Sequence, residues 1–241
     1  MPHPPTLILL SGLLCDAALW HDVSGLIGGG VDVRPMAFPG YTSIPAMAEA
    51  VLAAAPARFA VAGHSMGGRV ALEIAARAPE RVERIALLNT GVHSRRPGEA
   101  EKRQELVDLA YAEGMAAVAA RWLPPMLAPE RANDRALMAR LTAMVCAQTP
   151  DSFAGQIRAL LDRPEAEAGL SRIACPTLLL SGRQDGWSPL AQHEAMAARI
   201  PGSRLVAVED SGHMSIVEQP TAVAAALRDW LIEARPAPVA G

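Results

Sequence analysis

Two rhythms of apolar residues alternate along the first ninety positions. Continuous apolar runs, Thr6-Leu7-Ile8-Leu9-Leu10, Phe59-Ala60-Val61-Ala62 and Val82 to Asn89, have the character of strands buried on both faces of a parallel sheet. Val31-Asp32-Val33-Arg34-Pro35 alternates and ends in the turn Phe38-Pro39-Gly40-Tyr41. Helical patterns separate these runs. Asp16 is placed to cap a short helix through Trp20, Ile44 to Ala55 forms the next helix, and Arg69 to Ala78 another, closed by Pro79. Gly25 to Gly30 reads as a helix-to-strand loop, because it lacks the spacing of a dinucleotide-binding turn and no strand precedes it. Strand and helix in alternation predict a parallel sheet with right-handed crossovers.

After Thr90-Gly91 the pattern changes. From about His93 to Ile173 no strand is expected, only Ala- and Arg-rich helices broken at Pro97, Pro124-Pro125, Pro129, Pro150 and Pro164. Their apolar faces carry Met115, Trp122, Leu123, Met126, Leu127, Met138, Met144 and Phe153, residues suited to packing and to an irregular pocket alike. The sheet resumes at Cys175 to Gly182, where Ser188 is expected to cap a helix begun by Pro189, and ends at Arg204 to Val208. A last helix starts near Pro220 with the stripe Val223, Leu227, Trp230 and Leu231, and Pro236-Ala237-Pro238 reads as a frayed tail. The chain thus divides into a core domain, 1–91 and 174–241, and a helical insertion, 92–173.

Composition narrows the class without choosing a chemistry. A chain of 241 residues that is 51% apolar fits one large globular domain with an insertion. A net charge of −3 without long single-sign runs gives no reason to expect nucleic acid or an anionic membrane as a partner. Cys15, Cys146 and Cys175 are odd in number and lack metal-ligand spacing, so they read as free thiols in a reducing compartment. The run Leu7 to Leu10 is too short for a signal or a membrane span, and a soluble cytoplasmic protein is expected. Oligomeric state has no signature here.

The chemistry centres on Val61-Ala62-Gly63-His64-Ser65-Met66-Gly67-Gly68. Gly63, Ser65 and Gly67 form Gly-X-Ser-X-Gly between a strand and a helix, the setting of a nucleophile elbow. The turn is tight enough to hold Ser65 in a strained conformation, and bulk two positions away would block it. A serine nucleophile needs a base, and the base needs a carboxylate to hold its tautomer. Sites in open parallel sheets gather at the carboxyl ends of strands. Three residues just past such ends, Ser65, Asp185 and His213, supply nucleophile, carboxylate and base in that order along the chain. Ser211-Gly212 before His213 reads as a flexible pair. Asp210 is a rival carboxylate from the same loop as His213; Asp185, from the adjacent strand end, is favoured. His64 is beside Ser65, but consecutive side chains diverge, so it is not the base. His21, His93 and His193 show no partner pattern. The oxyanion donors are expected to be the backbone N–H groups of Met66 and Leu13. His93, Trp122 and Trp187 are the candidates for substrate contact.

With these residues assembled, the chain resembles the α/β-hydrolase superfamily, in the group of small cofactor-free esterases, enol-lactone hydrolases and haloperoxidase-like proteins. Leu9-Leu10-Ser11-Gly12, Gly63 to Gly68, Leu180-Ser181-Gly182-Arg183-Gln184-Asp185 and Ser211-Gly212-His213 carry the likeness over nearly the whole chain. The resemblance implies an α/β-hydrolase fold with a helical cap over residues 92–173. It also implies hydrolysis of a small carboxylic ester or lactone through an acyl-enzyme, with neither metal nor organic cofactor. Departures are visible. Ser11-Gly12 stands where the family usually has His-Gly, and the family's first hairpin has no counterpart, so a shortened, mostly or wholly parallel sheet of about six strands is expected. Met214 replaces the Trp often found after the base in members that cleave carbon–carbon bonds, which counts against that reaction. Ser65 argues against the dehalogenases and epoxide hydrolases of this fold, whose nucleophile is Asp. A triad-using lyase or synthase, as in the menaquinone pathway, or a carbon–carbon bond hydrolase on the same fold is the alternative, and a non-enzymatic ligand receptor the more distant one.

Overall fold

The computed structural model describes residues 4–232; the tail at Pro236-Ala237-Pro238 lies outside them. The predicted strands form one sheet. Its members are β1 (Thr6–Leu10), β2 (Asp32–Met36), β3 (Phe59–His64), β4 (Val82–Leu88), β5 (Thr177–Gly182) and β6 (Arg204–Val208), in the spatial order β2-β1-β3-β4-β5-β6. Every pairing is parallel. β1, β3 and β5 are buried almost throughout, as their continuous apolar runs require, whereas the edge strands β2 and β6 stay half-exposed. Pro35 is tolerated because β2 is an edge.

The helices of the core are α1 (His21–Ile27), α2 (Ile44–Ala54), α3 (Met66–Arg77), α8 (Leu190–Ala197), α9 (Ser215–Glu218) and α10 (Pro220–Ile232). α1 packs against α10 and α2 against α3. Fully buried Trp20, Phe38, Phe59, Phe153 and Trp230 anchor the core. Indole Nε1 of Trp230 donates to Pro176 O at 3.1 Å, tying α10 to the start of β5. Between β4 and β5 lie α4 (Glu99–Glu113), α5 (Met115–Trp122), α6 (Arg135–Cys146) and α7 (Pro150–Leu161) with several 3-10 turns and no strand. Phe153 and Ile157 of α7 bury into the shared core. Among the described residues no helix is long and apolar enough to cross a membrane.

Three local expectations fail for identifiable reasons. Asp16 does cap a helical turn, accepting from Leu19 N–H, but the turn runs on into α1, which carries Gly25 in its interior; only Gly28 to Gly30 form the loop. Val23 and Ile27 bury on α1, and that burial outweighs the propensity cost of one glycine. Ser188 does not cap α8: the helix starts at Leu190, so the cap position falls on Pro189, one residue later, and the Ser188 N–H donates to Asp185 Oδ1 at 2.8 Å. Ser211-Gly212 is not flexible either. Both residues are buried, and a Cβ on Gly212 would meet Ala128 N at 2.6 Å.

Candidate active site

The strand order reverses between β1 and β3, and crevices form at the carboxyl ends beside such a reversal. Ser65 follows β3 at this point, with φ 54° and ψ −113°, a backbone region that L-residues enter only under constraint. The constraint is the sheet below and the helix above: Ser65 N donates to Leu88 O at 2.9 Å, and its own carbonyl accepts from Thr90 Oγ1 at 2.8 Å. A Cβ on Gly63 would collide with the Gly67 carbonyl, and one on Gly67 with the Leu10 carbonyl, so side chains here would push the turn open. The Ser65 hydroxyl, partly exposed, lies 2.9 Å from His213 Nε2.

His213 follows β6 and is buried. Its Nδ1 sits 2.9 Å from Asp185 Oδ2 and 3.1 Å from Oδ1. The ionised carboxylate only accepts, so Nδ1 carries the proton and Nε2 is left to accept from the serine hydroxyl. Asp185 follows β5 and also accepts from the backbone N–H of Trp187 and Ser188, both at 2.8 Å, and from Asn89 Nδ2 at 2.9 Å. Burial pushes this carboxyl up, but the charge and hydrogen bond of His213, joined by the donors from Ser188 and Asn89, outweigh it and hold the group well below the usual carboxylate range. Asp210, the rival, is exposed and in left-handed backbone.

The loop after β1 packs directly on the elbow: a Cβ at Gly12 would lie 3.3 Å from Ser65 Cβ. Ser11 holds that loop by donating from Oγ to Asp16 O at 2.9 Å. Leu14 N donates to Gln156 Oε1 at 2.9 Å. The N–H groups of Leu13 and Met66 make no hydrogen bond to the described residues, and both residues line the cavity above Ser65. That cavity has a volume of about 380 Å³, and His93, Trp122 and Trp187 line it as well.

Several contributors have no signature in the sequence. Asn89, buried at φ 47°, donates from Nδ2 to Asp185 and accepts at Oδ1 from Ser215 Oγ. Glu218, buried on α9, accepts from the N–H groups of Gly212 at 3.0 Å and Met214 at 3.1 Å, the two neighbours of His213. Its other oxygen accepts from Ala128 N at 2.7 Å, and His213 N donates to Met126 O at 2.7 Å. Asn89 meets Asp185 and Ser215, and Glu218 meets Ala128, across tens of residues, beyond any local pattern; only the bonds of Glu218 to Gly212 and Met214 are local. His64, not the base, supports it from below: its Nε2 donates to His213 O at 2.8 Å. Burial and the neighbouring His213 push its pKa down to about 3, so the ring is neutral near pH 7. His193 does have partners. Its Nε2 accepts from Thr90 N at 3.2 Å under the same strand end.

A six-stranded parallel sheet with this constellation at its switch point defines a class, and the comparisons agree. Residues 7–226 match the alpha/beta hydrolase family. The chain belongs to that family and is a hydrolase with esterase-like relatives. It is 29% identical to a pimeloyl-[acyl-carrier protein] methyl ester esterase of Aromatoleum aromaticum, over 93% of this chain and 97% of that protein. Among solved structures, the enol-lactonase of Burkholderia xenovorans superposes with a TM-score of 0.87 at 26% identity, covering 96% of this chain and 93% of that one. A thermophilic esterase of Thermogutta terrifontis gives 0.85 at 26% identity, covering 94% and 89%.

Proposed function

We propose that this chain is a serine hydrolase of small carboxylic esters or lactones, working through an acyl-enzyme. Ser65 Oγ attacks the carbonyl carbon while its proton passes to Nε2 of His213. Asp185 keeps Nδ1 protonated and stabilises the imidazolium. The N–H groups of Leu13 and Met66 bind the developing oxyanion; one such donor is typically worth about 10²–10³ in rate. The imidazolium then protonates the departing alkoxide. In the second half His213 takes a proton from water, the hydroxide attacks the acyl carbon, and the acid leaves as Ser65 regains its proton. In a lactone the alcohol so formed stays tethered to the acyl group, and a single hydroxy acid leaves.

One observation carries the reading: an unbroken hydrogen-bonded path from Asp185 through His213 to Ser65, each link 2.9 Å, opening on a cavity. The relatives named as a methyl ester esterase and an enol-lactonase support the same chemistry. We take residues 92–173 as a cap on the core formed by 1–91 and 174–241, since the cavity draws its lining from His93 through Arg163. His93, Trp122 and Trp187 then face the substrate. The thiols of Cys15 and Cys146, which form no disulfide among the described residues, suit a cytoplasmic setting. A fluorophosphonate should label Ser65, and Ser65→Ala should lower turnover of a chromogenic ester about 10⁴-fold or more. Turnover retained by Ser65→Ala overturns the reading.

A further inference from the structure

The chain as a whole is mildly acidic at −3, yet the cavity above Ser65 is not. Five cations line it, Arg69, Arg96, Lys102, Arg103 and Arg163, against the single carboxylate of Glu99. Glu99 is already engaged. It takes both amino groups of Arg163 at 2.8 Å and Nε of Arg103 at 2.9 Å. Arg69 has no carboxylate partner among the described residues. It is only 7% exposed, its Nη2 donates to His93 O at 3.0 Å, and its Nη1 is buried without a hydrogen-bond partner among the described residues. Arg163 Nε donates to the same carbonyl at 3.2 Å, so two guanidinium groups converge on one neutral oxygen. Both also line a second, smaller cavity of about 220 Å³.

A buried guanidinium next to another cation is costly unless an anion joins it. Burial and the charge of Arg163 push the Arg69 pKa down to about 9, which still leaves it protonated near pH 7. Arg69 stands four residues after Ser65 on α3, about 6 Å along the axis, and helical side chains lean back toward the N-terminus, here toward Ser65. A planar guanidinium matches a carboxylate edge to edge. We propose that Arg69 is an anion-binding, specificity-determining residue, and that the substrate is an ester or lactone carrying a carboxylate about one helical turn from its reacting carbonyl. This rests on the ester or lactone reading above.

The test compares monomethyl hemi-esters of C4 to C7 dicarboxylic acids with the matching dimethyl esters. Wild type should favour the hemi-ester in kcat/KM by about tenfold or more at one chain length, and less at high salt. Arg69→Gln should lower the hemi-ester-to-diester ratio at least about tenfold, mainly through KM, and Arg69→Lys should restore part of it. A ratio that Arg69→Gln leaves unmoved, or a wild type without preference, overturns the proposal. Should Arg69→Gln fail to fold, glutarate must inhibit wild-type turnover of p-nitrophenyl acetate more strongly than butyrate does; equal inhibition overturns it too. Failure of the ester reading shows itself separately, as an unlabelled Ser65 and no ester turnover. In that case the anion site is judged by glutarate raising the Tm of the wild type, and no rise overturns it.

Discussion

The two sides of the cavity are built from different materials. The side formed by β1, β3 and the start of α3 offers one reactive hydroxyl and two backbone N–H groups, held by glycines that leave the chain no room to shift. The rest of the lining offers long cationic side chains: Lys102 and Arg103 on α4, Arg96 and Arg163 in the loops beside it, and Arg69 one turn into α3. Backbone N–H groups are positioned by the sheet and are retained through every side-chain exchange except to proline. Guanidinium groups can be exchanged one at a time. The contrast teaches that bond-breaking and substrate choice are separable here, and each can be attacked without the other.

The largest expected effect lies on the first side. Asp185→Asn should leave the fold intact and lower kcat about 10⁴-fold, because the amide can donate to Nδ1 and turn the imidazole to the wrong tautomer. Esterase kinetics over the hemi-ester and diester pairs would show both falling alike; a selective fall would merge the two sides. Next comes the seam between them. Glu218→Gln keeps one acceptor oxygen and loses the other, leaving a buried N–H of Gly212 and Met214 or of Ala128 unpaired at a cost of about 1–3 kcal/mol. Denaturant melts should register that loss, and kcat should fall about tenfold as His213 loosens. An unchanged kcat at reduced stability would show that the clamp does not set the position of His213.

The effect that is smallest near neutral pH is in the pH dependence of stability. His64 is buried and its pKa is lowered from 6.5 to about 3. Below pH 6.5 the unfolded chain therefore binds a proton that the folded chain does not, so stability is full above that pH and falls as pH falls toward 3. The slope from this group approaches about 1.4 kcal/mol per pH unit. Melts of wild type and His64→Asn between pH 7 and 4.5 should show the variant's curve to be flatter by that amount. Parallel curves would mean that His64 takes up its proton in the folded state.

Much of the frame could be read along the chain. Strands buried on both faces announce themselves as continuous apolar runs, and the elbow and the later acid and histidine sit in short, ordered motifs. Two of the misreadings share one physical cause. Gly25 inside α1, which packs on α10, and the buried Ser211-Gly212, which packs on Ala128, are each decided by a partner distant in sequence, whereas the Ser188 N–H turns to Asp185 only three residues away. Asn89, Glu218 and Arg69 escape notice for the same reason. Asn89 looks like the last residue of a strand until β5 brings Asp185 alongside. Arg69 looks like an ordinary helix surface residue until the segment around His93 and Arg163 closes over it.

The backbone bond from His213 to Met126 O, with Glu218 reaching Ala128, has a consequence for chimeras. Exchanging the helices over the cavity for those of a relative is an obvious route to new substrate preferences. Here the donor segment would have to reproduce the carbonyl of Met126 and the amide of Ala128 in place, together with the Gln156 side chain that holds Leu14. A graft that respects those three anchor points inherits a working histidine. One that is joined merely at its ends would arrive with its pocket intact and its catalyst misaligned.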